Sequence, residues 1–125
     1  MKKILTAGLA SALIFGCASA QQDASQDTEP QVTSEVTDIV ARIAGGAAPQ
    51  DRFTERGAAM TLASGTAARQ LKGCDAPSLS LLDRRVKGED RQYLYRLNCG
   101  NAVWLLEVDY NKASRINRME LRPSE

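Results

Sequence analysis

From Ser78 to Arg122 the chain is rich in β-formers with a period of two, and the pair Gly100-Asn101 separates two of its long runs. A two-residue loop leaves the flanking strands no freedom of register. Position 99 must face 102, 97 must face 104, 95 must face 106 and 93 must face 108. Alternation then sorts every side chain of this hairpin onto one of two faces. One face carries Tyr93, Tyr95, Leu97, Cys99, Ala102, Trp104, Leu106 and Val108, and it is the expected core face. The other pairs Arg96 with Leu105, Leu94 with Glu107 and Gln92 with Asp109, a surface that is apolar in patches and charged between them.

Two further strands complete a meander. Ser78 to Lys87 precedes the hairpin across a Gly88-Glu89-Asp90 turn, and Arg115 to Arg122 follows it and stops before Pro123. Before Pro77 the period changes. Val36, Ile39, Val40 and Ile43 recur at helical spacing, with Ser34 placed to cap the start and Gly45-Gly46 to end it. A weaker helical signal runs from Asp51, as a cap, through Phe53 and Met60, and another from Thr66 to Lys72 before Gly73. Gly57 and Gly65 lower the local stability of that region. The expected fold is α+β: short N-terminal helices packed on one face of a four-stranded antiparallel meander, in a single domain over 36–125.

The start of the chain reads as an export signal. Met1-Lys2-Lys3 is followed by an apolar run from Ile4 to Phe15 and then by small residues. Two processing schemes fit 1–20: release before Gln21 after Ala18-Ser19-Ala20, or a lipobox ending at Cys17, whose sulfur would be acylated. The first gives a soluble periplasmic protein. The second gives a lipoprotein which, with Ala18 rather than Asp after the cysteine, resembles those sorted to the outer membrane. Gln21 to Glu35 is polar and acidic and reads as a disordered tether. Cys74 and Cys99 remain in either scheme, and an even pair in an oxidising compartment predicts a disulfide worth roughly 3 kcal/mol.

The sequence has no histidine, which removes Ser-His and Cys-His catalysis and histidine metal sites. With 16 basic and 15 acidic residues, the charge is too balanced for a nucleic-acid surface. Aromatics make up only 5%, so the core must be thin. Glu107 and Asp109 share a strand face and read as solvated carboxylates, with no third ligand to make a metal site. Arg84, Arg85, Lys87, Arg91, Arg96, Arg115, Arg118 and Arg122 lie on or beside strands and are largely neutralised by interspersed acids.

Helices first and then a curved meander, with Tyr93-Leu94-Tyr95-Arg96 in one long strand and Arg115 to Pro123 closing the chain, resemble a known group. They are similar to the small cystatin-like, nuclear-transport-factor-like domains of exported bacterial proteins. Gln70-Leu71-Lys72-Gly73, Ser78 to Leu82 and Gly100-Asn101 carry the same likeness, which covers roughly Phe53 to Pro123. It implies a fold and a non-catalytic binding or accessory role, with no cofactor and no catalytic residue to carry over. The closing strand of that group tends to hold a glycine where this chain has Arg118.

The leading expectation is therefore a non-enzymatic envelope protein that binds a protein partner, or its own copy, through the open sheet face at Leu94, Arg96, Val103 and Leu105. A different class is a carrier of a small apolar ligand, with a pocket between helices and sheet at Tyr93, Tyr95 and Trp104. A third is an isomerase-type enzyme, for which Asp38 and Asp75 are the only carboxylate candidates.

Overall fold

The computed structural model describes residues 27–74 and 76–124. The segment read from sequence as an export signal, with Cys17, the expected tether up to residue 26, and Asp75 lie outside them. The elements run α1 (Pro30–Ala44), a 3-10 turn (Gln50–Arg52), α2 (Glu55–Thr61), α3 (Thr66–Gln70), β1 (Ser78–Lys87), β2 (Asp90–Cys99), β3 (Ala102–Tyr110) and β4 (Ile116–Pro123). The four strands form one antiparallel sheet in the order β1-β2-β3-β4, and the fold is α+β.

The hairpin register is the one that the two-residue loop dictates: Cys99 pairs with Ala102, Leu97 with Trp104, Tyr95 with Leu106 and Tyr93 with Val108. Gly100 takes a positive φ of 64° and Asn101 does not, as the first position of a type II′ turn requires. Two bulges modify the meander. Leu82 is skipped in the β1–β2 pairing, and Asn117 is skipped between the pairs Asp109–Arg118 and Tyr110–Ile116. The second bulge sits beside Arg118, in a strand that keeps its pairing with an arginine there.

The helix layer covers the expected face. Val36, Ile39, Val40 and Ile43 of α1 are buried against Tyr93, Tyr95, Leu97, Leu106 and Val108 of the sheet. Trp104 and Cys99 are half-buried at the margin of this core, and Ala102 at the hairpin tip is exposed. Cys74, just after α3, is bonded to Cys99 at the end of β2, tying helix layer to sheet.

Three sequence expectations need correction. First, α1 starts at Pro30, not after Ser34, so 30–35 is helix rather than tether. Proline at the first helical position costs no hydrogen bond there. The preceding residues are also held: Glu29 accepts from the Tyr93 hydroxyl (2.8 Å) and pairs with Arg84. Second, α2 is capped by Thr54, whose Oγ1 accepts from the Gly57 amide (2.9 Å); Asp51 lies in the 3-10 turn. Third, Gly57 is a packing requirement rather than a weakness. A Cβ there would fall on the Ile116 carbonyl, with its carbon at 3.0 Å, because α2 lies directly on the β4 backbone. Thr54 N–H donates to Ile116 O (2.9 Å), and Met119 N–H donates to Thr61 Oγ1 (3.0 Å), so α2 satisfies backbone groups along that strand.

Candidate functional site

The face of the sheet turned away from the helices is laid out in cross-strand rows. Ser80, Arg96, Leu105 and Arg122 make one row, from β1 to β4. Asp83, Leu94, Glu107 and Glu120 make the next, and Arg85, Gln92, Asp109 and Arg118 the one beyond it. Val103 continues the apolar line past Leu105 at the hairpin end, paired with Asn98. Leu94 and Leu105 are half-buried and Val103 is 39% exposed. These three residues therefore form a short apolar diagonal across β2 and β3, on a face that none of the described helices covers.

Charge on this face is distributed unevenly. Arg118 reaches Glu107 (3.0 Å), Asp109 (3.4 Å) and Glu120 (2.7 Å) at once, and Gln92 donates to Glu107 (3.3 Å). Three carboxylates around one guanidinium leave excess negative charge, and their attraction holds the Arg118 proton more tightly than usual against the opposing effect of burial. Glu107 and Asp109 are thus ion-paired and half-buried, not freely solvated as expected from sequence. Arg118 stands where Glu107, Asp109 and Glu120 converge, and among the described residues no three acidic, cysteine or histidine side chains are grouped to hold a metal ion. Arg96 and Arg122 are exposed and have no ion-pair partner among the described residues.

Two hollows open on the same face. One of about 210 Å³ surrounds Leu94 and is walled by Asp83, Arg85, Glu107 and Arg122. The other, of about 220 Å³, lies between Lys87, Asp109, Arg118 and Arg56 of α2.

Two other strand arginines, Arg84 and Arg91, serve the fold. Arg84 lies over the Tyr93 ring at 5.7 Å and pairs with Glu29. Arg91 lies over Tyr110 and bonds Asn111 O (3.3 Å) and Ser114 Oγ (3.1 Å), fixing the turn before β4. Arg115 is exposed.

The tyrosines proposed from sequence as a pocket are core residues. Tyr93 and Tyr95 are at most 1% exposed, with ring centroids 6.2 Å apart, and Tyr110 meets Tyr93 edge-on at 5.7 Å. Thr33 gives its only hydroxyl proton to Asp27 (2.7 Å), so the Tyr95 hydroxyl is the donor in its 3.1 Å bond to Thr33. Burial first, and the hydrogen bond to Glu29 second, hold Tyr93 protonated. The hollow that touches Tyr93 opens on the other face of the sheet. Asp38, a candidate carboxylate, is exposed on α1 and pairs with Arg42 (3.0 Å).

Leu94, Arg96, Val103 and Leu105 do share one face, as alternation required. Sequence reasoning missed Arg122 as the equivalent of Arg96 across Leu105, because the β3–β4 register has no two-residue loop to set it. It also missed Asp27 and Glu29, for which Pro30 was the available signal. Compared with protein-family models, with curated proteins and with solved structures, the chain matches none.

Proposed function

We propose that this chain is a non-enzymatic binding module of the bacterial envelope, with a cystatin-like arrangement, that engages a protein partner through its open sheet face. The observation that carries this reading is the apolar diagonal Leu94, Leu105 and Val103 flanked by Arg96 and Arg122. A sheet face that the described helices leave uncovered, with apolar residues at its centre and beside them cations that lack ion-pair partners among the described residues, has the anatomy of a recognition patch, with a drier middle and a polar rim. The Cys74–Cys99 bond supports export to an oxidising compartment. Helices preceding a sequential four-stranded meander support the cystatin-like arrangement.

A photo-crosslinking residue placed at Val103, in cells that export the full chain, tests the reading. The expected result is a discrete cross-linked species that disappears when Leu94 and Leu105 are both changed to Asp, with the melting temperature of the variant within a few degrees of the parent. A cross-link that survives the double change, or none from Val103, defeats the reading.

A further inference from the structure

Two adjacent rows of the open face have opposite charge, and each contains a leucine. The row of Leu94 carries Asp83, Glu107 and Glu120; the row of Leu105 carries Arg96 and Arg122. A partner that was merely acidic would complement the second row and be repelled by the first. A surface that complements both must carry a basic row beside an acidic one in the reverse order, and this face turned over on itself is such a surface.

We infer that the open face pairs with the open face of a second copy, about a two-fold axis lying in the interface, parallel to the rows and midway between these two. The inference rests on the open face being a binding surface, and it names the occupant. Under that operation each strand lies over its own equivalent, running the opposite way, and each row meets the other row. Glu120 comes over Arg122 of the second copy. Glu107 comes over Leu105 of the second copy, between the two arginines that flank it. Arg96 of the second copy comes over Leu94, where the hollow of about 210 Å³ is walled by the carboxylates of Asp83 and Glu107 and by Arg85 and Arg122. The guanidinium of Arg96, which has no ion-pair partner among the described residues, thus comes to a recess whose wall carries two carboxylates beside two arginines, its aliphatic stem against a leucine. Symmetry makes every contact twice.

The size of the face sets the strength. Four strands spaced by about 4.8 Å and four rows spaced by about 6.8 Å cover about 500 Å² per copy, or about 1,000 Å² in all. That is the lower limit for specific association, the size class of weak and transient complexes, so the dimer is expected to depend on concentration. Its charge pairs are at or near solvent, so it weakens further as salt rises.

The test is a charge exchange read by sedimentation of the oxidised protein. One variant carries Arg96→Glu and Arg122→Glu, making both rows acidic; the other carries Asp83→Arg and Glu120→Arg, making both rows basic. All four positions are exposed, and a melting curve confirms that each variant folds. Each variant alone is expected to dimerise about a hundredfold more weakly than the parent, because like charges face one another. Mixed in equal amounts, the two are expected to restore a dimer containing one of each. The neutral pair Arg96→Gln and Arg122→Gln is expected to weaken the parent dimer less than reversal does. A parent chain that stays monomeric at millimolar concentration overturns the inference. So does a dimer indifferent to both reversals, or reversed variants that fold but do not recombine. If the parent is monomeric while the Val103 cross-link to a different protein still depends on Leu94 and Leu105, the binding-surface reading stands and only the second copy is wrong. If that cross-link is absent too, both fall.

Discussion

The covered and open faces of the sheet are built from alternate residues of the same strands, and they differ in what becomes of their polar atoms. On the covered face the hydroxyls of Tyr93 and Tyr95 are met by Glu29 and Thr33, from the start of the helix layer. On the open face the ion pairs among the described residues are made between neighbours in the sheet. Arg118 is surrounded by carboxylates there, whereas Arg96 and Arg122 have no ion-pair partner among the described residues. A helix layer thus does more than bury apolar area: it also supplies partners for the polar atoms that come along with large side chains. Where the layer is missing, charge remains available to another molecule.

The sharpest way to break this comparison uses two neighbouring leucines. Leu106 is fully buried beneath the helices, and Leu105 points the other way. Leu106→Ala is expected to cost about 2–5 kcal/mol, since it removes contacts and leaves a cavity in a close-packed core. Leu105→Ala is expected to change stability by no more than about 0.5 kcal/mol. Urea unfolding followed by the fluorescence of Trp104 measures both. Equal costs would mean that the two faces are equally covered in solution, and the contrast would be lost.

The disulfide lies at the edge of the covered side and fastens α3 to β2 across a separation of 25 residues. Cys74→Ser is expected to lower stability by about 3 kcal/mol under oxidising conditions, mainly by freeing the unfolded chain. Adding reductant should bring the parent down to the variant and leave the variant unchanged. Parent and variant that unfold together in oxidising buffer would show that the covered face holds without this bond.

What the sequence made legible follows the reach of each interaction. The β2–β3 register was legible because a two-residue turn and strict alternation are local, and together they suffice to put Leu94 and Leu105 on the open face. The β3–β4 register was not, because the bulge at Asn117 depends on Thr54 reaching its side chain (2.8 Å) and on α2 lying against Ile116. Arg118 therefore could not be seen as the meeting point of three carboxylates, nor Arg122 as the counterpart of Arg96. Gly57 reads as a helix weakener by propensity, and only the distant backbone of Ile116 reveals why a side chain is excluded there. The start of α1 was misplaced for the same reason. Asp27 and Glu29 look like tether residues until Tyr93, Tyr95 and Arg84, more than fifty positions away, are folded beside them.

The smallest effect concerns the covered face alone and asks whether every buried hydroxyl there is matched. Tyr95 bonds to Thr33, but the Tyr110 hydroxyl is buried with no hydrogen-bond partner among the described residues. Burial is the main cause that pushes both phenols up to about 12. In the unfolded chain a tyrosine ionises near pH 10. The folded state therefore keeps protons that the unfolded state gives up. The resulting stabilisation is complete below about pH 10 and is lost as pH rises from there through about 12. Tyr110→Phe removes an unmatched polar atom and is expected to leave stability at pH 7 unchanged or raise it by about 1 kcal/mol. It should also make the loss between pH 10 and 12 less steep. Tyr95→Phe breaks a matched pair and is expected to cost about 1 kcal/mol at pH 7. Urea unfolding at neutral and alkaline pH, with tyrosinate absorbance followed in parallel, separates the two. Should Tyr110→Phe prove as costly as Tyr95→Phe, its hydroxyl would have to be bonded in solution. The helix side would then satisfy all three core tyrosines, widening the contrast with the open face.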